Sequence, residues 1–362
     1  MSKKTDTTLS HTSLYRTYRP QEFAQVRGQD HIVTVLTQAI AKGAIGHAYL
    51  FVGSRGIGKT SIARIFARAI GCSDKDLYEI DAASNRSIDD IRELRDGVHT
   101  LPFESPYKVY IIDEVHMLTK EAFNALLKTL EEPPKHAVFI LATTELHKVP
   151  DTVQSRCEVH YFKQPTRSLL AETVTAVAKK EGNNLEQPAA DLIATLSEGS
   201  FRDALGILQK TLTVASGKTV TLADVEAVSG APSSEIIARI LGALVLKDTG
   251  AALEAVRTAA ESNMDARILM KLLMNQVRAV LLMRYAPDTR KEFEEEFGME
   301  RAAALFDIGK NPSTGINSET LRTLLGAYSQ MAYAALPHVP LELALIDLTT
   351  SKQIADSKQP TA

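Results

Sequence analysis

The sequence predicts an α/β domain built on a parallel sheet, followed by a small helical domain and a larger all-helical one. Three observations carry this. Short apolar runs alternate with amphipathic helical patterns over residues 1–165, and strand signals largely stop after Pro165. A Gly230-Ala231-Pro232 break then separates two helical stretches. Alternation of the first kind implies parallel pairing through helical crossovers. The domain boundaries read as 1–165, 166–229 and 230–350, with a polar tail over 351–362 whose composition predicts disorder.

The first strand, residues 49–52, runs into Gly53-Ser54-Arg55-Gly56-Ile57-Gly58-Lys59-Thr60. This octet fits the phosphate-binding pattern G-x-x-x-x-G-K-[ST] at each fixed position. Gly53, Gly56 and Gly58 let the backbone curl and turn its N–H groups toward an anion. Lys59 is placed to reach β- and γ-phosphates, and the Thr60 hydroxyl suits Mg²⁺. Ile62, Ile65, Phe66 and Ala69 follow at helical spacing, so a helix N-terminus faces the same anion. The expected ligand is a nucleoside triphosphate with Mg²⁺, held by Gly53, Gly56, Ile57, Gly58, Lys59, Thr60 and Ser61.

The strand at 77–80 comes next, and the strand at 109–112 ends in Asp113-Glu114. Asp113 at a strand's C-terminal edge is suited to hold Mg²⁺ with Thr60. Glu114 is suited to polarise the attacking water. Phe123, Leu126, Leu127 and Leu130 mark a helix ended by Pro133-Pro134. The strand at 138–141 then leads to Ala142-Thr143-Thr144, where a hydroxyl can bridge water and γ-phosphate; Thr144 is the first candidate and Thr143 the alternative. Arg156 precedes the last strand, at 159–162. Arg202 opens a helix in the next domain. A guanidinium forks onto phosphate oxygens, which suits both arginines to sensing a γ-phosphate, although either also fits a surface ion pair.

Three helical segments are expected between Pro165 and Ser229. Beyond the break, Ile236, Ile237, Ile240 and Leu241 form one apolar stripe, and Asp265 is placed to cap a helix through Leu269, Leu272 and Leu273 to Met283.

Composition narrows the alternatives. No run of about 18 apolar residues exists to span a membrane, and residues 1–13 lack the apolar core of a secretory signal. Two cysteines, Cys72 and Cys157, argue against a disulfide framework and fit a reducing cytoplasm. A net charge of −3 excludes a globally basic nucleic-acid coat but not a local basic surface.

The motifs together resemble the AAA+ ATPases of sliding-clamp loaders, and more closely the gamma/tau subunits of bacterial DNA polymerase III. The matching stretches include Tyr18-Arg19-Pro20, His47-Ala48-Tyr49-Leu50-Phe51, the phosphate loop, Ile112-Asp113-Glu114-Val115-His116-Met117-Leu118, Ser155-Arg156-Cys157 and Gly199-Ser200-Phe201-Arg202-Asp203-Ala204-Leu205. They are dense from about residue 14 to 210 and thin from 230 to 348. The resemblance implies a P-loop AAA+ core with a helical lid and an all-α collar, assembled with other loader subunits into a pentameric ring. Arg156 would act in trans on a neighbour's ATP, Arg202 in cis from the lid. Residues 26–29, Val26 included, and 47–50 would flank the adenine. The ring would grip the sliding clamp and the phosphates of primer–template DNA; Arg86, at the start of one helix, is a candidate DNA contact, and Lys128 and Lys135 lie near the next helix.

One departure stands out. The family's four-cysteine zinc module would follow Cys72, where this chain has only Ser73-Asp74-Lys75-Asp76. Two cysteines cannot form a four-thiolate site, so no structural zinc is expected. The sequence ends at residue 362 without a tau-like extension, so a gamma-like or truncated chain is expected. Asp113-Glu114-Val115-His116 fits the D-E-x-H motif of superfamily 2 helicases, yet no second nucleotide-gripping domain with its arginine motif follows residue 165. A scaffold that binds ATP without hydrolysing it would lack Lys59 or the acidic pair, and both are present.

Overall fold

The computed structural model describes residues 13–350, apart from 86–90, 92–93, 95, 216, 263, 287, 289–292, 295–298 and 312–313. The expected DNA contact Arg86 and the expected tail 351–362 lie outside the described residues. The chain forms two compact units, one from Met1–Thr173 with Ser197–Gln209 and one from Val174–Leu196 with Lys210–Ala362.

The first unit is built on the five expected strands: β1 (Ala48–Val52), β2 (Leu77–Asp81), β3 (Lys108–Asp113), β4 (Ala137–Thr143) and β5 (Glu158–Tyr161). They pair in the order β2-β3-β4-β1-β5, parallel throughout. The register sets Val52 opposite Thr143 and Ile112 opposite Leu141. The C-terminal ends of β1, β3 and β4 therefore lie side by side, where a parallel sheet presents its ligands.

Alternation along the strands sends Leu50, Ile112 and Leu141 to one face and Phe51, Ile111 and Ile140 to the other. Helix α1 (Asp30–Ala41) and helix α2 (Lys59–Ala69) cover the second face through Ile32, Leu36, Ile62 and Phe66. Helix α3 (Lys120–Glu131) covers the first through Phe123, Leu126 and Leu130, and its N-terminus is capped by Thr119 Oγ1, which accepts from Ala122 N at 3.2 Å. Burial on both faces explains why β1, β3 and β4 read as near-continuous apolar runs.

Where the family's zinc module would stand, a short turn suffices. The buried Asp76 carboxylate accepts backbone N–H bonds from Phe103 (2.5 Å), Glu104 (3.0 Å) and Ser105 (2.9 Å), and Ser73 N donates to Ser105 Oγ at 2.8 Å. Desolvation pushes the Asp76 pKa up, but these bonds to the charged form outweigh it and hold the pKa down at about 2. Burial raises both free thiols, Cys72 to about 11 and Cys157 to about 12.

Beyond Pro165 four helices precede Gly230, where three were expected: α4 (Arg167–Lys180), α5 (Gln187–Leu196), α6 (Phe201–Val214) and α7 (Leu222–Ser229). Helix α7 is only 8 residues long, and a local device fixes it: Thr221 and Asp224 form a reciprocal capping box. Two-residue strands β6 (Asn184–Leu185) and β7 (Thr219–Val220) also pair in parallel, too short to register as apolar runs.

The rest of the second unit is helical in its described residues: α8 (Ser234–Leu246), α9 (Thr249–Glu261), α10 (Ala266–Tyr285), α11 (Met299–Lys310), α12 (Ser318–Gln330) and α13 (Val339–Thr350). Ile236, Ile237, Ile240 and Leu241 join Leu269, Leu273, Val277 and Leu345 in one core. Asp265 caps α10 as expected, accepting from Arg267 N (2.8 Å) and Ile268 N (3.1 Å). At the other end of α10, Arg284 donates to the carbonyls of Gly309, Asn311 and Ile316 and to Thr314 Oγ1. Among the described residues no single helix is long and apolar enough to cross a membrane.

Candidate nucleotide site

The phosphate loop leaves the C-terminal end of β1, and α2 starts at Lys59, so the loop's N–H groups and the helix N-terminus converge. Gly53, Gly56 and Gly58 have φ of 155°, 75° and 107°. At Gly56 the need is steric as well. A Cβ there would lie 2.0 Å from Ser200 Oγ and 3.2 Å from Arg202 Cβ. Phe201 N donates to Gly56 O at 3.0 Å, so the start of α6 is seated against the loop. Ile57 is buried in the core beneath it.

Lys59 is buried, and its ammonium donates to Gly53 O (2.7 Å) and Ser54 O (2.8 Å). Desolvation lowers its pKa, opposed by the Glu114 and Asp113 carboxylates. Thr60 Oγ1 donates to Asp113 Oδ2 at 2.6 Å, while Asp113 Oδ1 accepts from Glu114 N at 3.0 Å. A hydroxyl and a carboxylate in direct contact beside a phosphate loop are a donor set that fits a hard, oxygen-seeking cation such as Mg²⁺.

Glu114 adopts left-handed backbone angles (φ 49°, ψ 43°), uncommon for a non-glycine residue and a strain of about 1–3 kcal/mol. Its carboxylate meets Thr144, whose Oγ1 donates to Oε2 at 3.2 Å. Thr143, the alternative, is fully buried and committed elsewhere: its Oγ1 accepts from Glu145 N at 3.0 Å and lies 3.0 Å from His116 Nδ1. Of the two threonines, Thr144 is the one in contact with the acidic pair.

The arginines differ. Arg202 lies at the first turn of α6, beside the loop, with its guanidinium 4.9 Å from the centre of the Tyr15 ring. Arg156 is engaged on its own surface, donating to Thr152 O and Glu131 Oε1, each at 2.6 Å. Among the described residues its hydrogen bonds go to Thr152, Ser155 and Glu131, and none to Lys59, Thr60, Asp113 or Glu114. Val26 follows a 3-10 turn and packs against the core that includes Ile57 and Phe162. The adjoining Gln29 is buried and clasps the Lys163 backbone, donating to its O (2.6 Å) and accepting from its N (3.1 Å). Lys128 and Lys135 are exposed.

Arg19, to which the motifs assign no role, stands beside the loop. Its Nε donates to Ser61 Oγ at 3.0 Å, and burial lowers its pKa, with Asp113 and Glu79 pulling the other way. Tyr15, too, falls in no motif that the sequence presents. Arg19 and Ser61 are 42 positions apart; the Tyr18-Arg19-Pro20 stretch was visible, but no periodicity tied it to the site.

A family model described as "DNA polymerase III, delta subunit" matches residues 28–86 and 75–166, and one described as "DNA polymerase III subunits gamma and tau domain III" matches 220–361. DNA polymerase III subunit tau of Bacillus subtilis is 37% identical over 381 aligned residues, covering 96% of this chain and 65% of that protein. The chain belongs to the DNA polymerase III gamma/tau family. The gamma/tau subunit of Mycoplasma pneumoniae is 43% identical over 59% of this chain and 34% of its own length. The Escherichia coli tau subunit is 35% identical over 77% and 46%. The chain thus spans less than two thirds of the gamma/tau relatives it matches. In fold it is similar to the Thermotoga maritima RuvB Holliday junction branch migration motor, with a TM-score of 0.51 and 22% identity over 63% of this chain and 79% of that one. That likeness shows the AAA+ fold alone.

Proposed function

We propose that this gamma/tau-family chain is an ATP-hydrolysing motor subunit of the DNA polymerase III clamp loader, opening the sliding clamp and loading it onto primed DNA in the bacterial cytoplasm. The observation that carries this reading is the joined pair Thr60–Asp113 beside a Glu114 carboxylate held by Thr144.

In this reading the loop N–H groups, Lys59 and the α2 N-terminus hold the β- and γ-phosphates. Lys59 exchanges its two loop carbonyls for phosphate oxygens. Thr60 and Asp113 would hold Mg²⁺, which when bound neutralises charge on the phosphates. A water oxygen bonds to the γ-phosphorus in line as the bond to the β,γ-bridging oxygen breaks; Glu114 accepts the water's proton, and ADP and phosphate leave. Thr144 orients Glu114 and the water. Arg202 meets the γ-phosphate from the lid. Arg156 leaves Glu131 to reach the ATP of a neighbouring subunit, which supplies a trans contact only in the assembled ring.

The three-way division into 1–165, 166–229 and 230–350 belongs to the same proposal, with the last region as the collar of a pentamer of loader subunits. DNA would be held through phosphates, by helix N-termini and cations such as Lys128. No zinc is invoked, since the Asp76 turn ties down the segment where the family's zinc module would lie.

The test is calorimetric titration of the chain with ATPγS in the presence and absence of Mg²⁺. Tight, Mg²⁺-dependent binding that Lys59→Ala abolishes is the expected result. Binding indifferent to Lys59 would overturn the site.

A further inference from the structure

Residues 14–19 form a strap tied at both ends to elements beside the nucleotide site. Leu14 is buried and its N–H bonds Gln209 Oε1 of α6 at 2.9 Å; Arg19, five residues on, bonds Ser61 at the start of α2. Tyr15 lies in this strap, half-buried, and its ring is flanked by two guanidinium groups, Arg202 at 4.9 Å and Arg16 at 5.8 Å. The strap thus spans the two elements that flank the phosphate loop, with the Tyr15 ring against the one arginine on α6 that is beside Gly56.

We propose that Tyr15 is a positioning residue for Arg202, holding its guanidinium beside the phosphate loop so that it meets the γ-phosphate of a bound nucleoside triphosphate already oriented. The physical reason is entropic. An arginine side chain at the exposed start of a helix has many rotamers, and ordering it on binding opposes affinity. A ring face under the guanidinium removes much of that freedom beforehand. The polar surroundings of the Tyr15 hydroxyl, Ser13 first, then Arg16 and Arg202, hold the phenol down at about 8. The helix that carries Arg202 is itself fixed on the loop by the Phe201 N to Gly56 O bond, so the one remaining freedom is that of the side chain Tyr15 touches. The inference rests on the triphosphate-binding reading above and assigns a residue to it.

The experiment is a double-mutant cycle of Tyr15→Ala and Arg202→Ala, with Tyr15→Phe as the conservative variant, read by calorimetric affinity for ATPγS and for ADP with Mg²⁺. Tyr15→Ala is expected to weaken ATPγS about two- to fivefold, the weight of an exposed cation–π contact, and to leave ADP unchanged. Tyr15→Phe keeps the ring and recovers most of the affinity, and Tyr15→Ala adds nothing once Arg202 is alanine. Equal losses for ATPγS and ADP, or additive effects in the double variant, would assign Tyr15 to general stability and overturn the proposal. Wild-type affinity in a folded Tyr15→Ala would overturn it too. Failure of the wild-type chain to bind either nucleotide would instead strike the underlying reading.

Discussion

Thr60 Oγ1 donates to Asp113 Oδ2 at 2.6 Å across 53 positions of sequence, joining the end of the phosphate loop to the end of β3. The contact exists because β1 and β3 both flank β4 in parallel register, which brings their C-terminal ends to one edge. A helix-initiating hydroxyl and a strand-terminating carboxylate become one cation site.

Asp113→Asn keeps the size of the side chain and removes its charge. It is expected to reduce the Mg²⁺-dependent part of ATPγS affinity by on the order of 10–100-fold, with little change in the Mg²⁺-free part. Titrations at several Mg²⁺ concentrations check this; an unchanged metal dependence would contradict the pairing's role.

Glu114→Gln separates binding from chemistry. Nucleotide affinity should stay near that of the wild type while turnover falls by roughly 10²–10⁴-fold, the range for a lost general base. Parallel calorimetry and phosphate-release assays distinguish this from loss of the site.

The adjacent threonines predict opposite phenotypes. Thr144→Ala removes the hydroxyl on Glu114 Oε2 and should lower turnover with a normal melting temperature. Thr143→Ala strips a fully buried hydroxyl from Glu145 N and His116 and should destabilise by about 1–3 kcal/mol. Thermal melts beside turnover assays read both; a reversed pattern would return the role to Thr143.

Asp76 predicts a pH dependence. Its folded pKa of about 2 lies below the ordinary 3.8, so its contribution is fully present above the unfolded value and is lost as pH falls through the folded one. The difference amounts to about 2 kcal/mol. Asp76→Asn should therefore destabilise by roughly that amount at pH 7, and the gap between variant and wild type should narrow between pH 4 and pH 2. Denaturant melts across that range test it, and a gap that does not change with pH would contradict the assignment.

The sheet and the phosphate loop were legible because each rests on a local signal: apolar runs of strand length, a fixed glycine-lysine spacing and two acids at a strand end. Asp265 as a cap was legible for the same reason. The number of helices before Gly230 was not: the shortest of the four, α7, has 8 residues and rests on the Thr221–Asp224 box more than on a long periodic face. Arg19 and Tyr15 escaped because their partners, Ser61 and Arg202, lie far along the chain and are met only after the fold closes. Arg156 was visible as a motif, whereas its intrachain partner Glu131, 25 positions away, carries no local signal.

The central claim is tested most directly by ATP turnover of this chain assembled with loader partner subunits, measured with and without sliding clamp and primed DNA. Strong stimulation by clamp and primed DNA together, lost in Lys59→Ala, is the predicted result. Turnover that ignores both would leave the AAA+ fold and the family in place and contradict the clamp-loading motor.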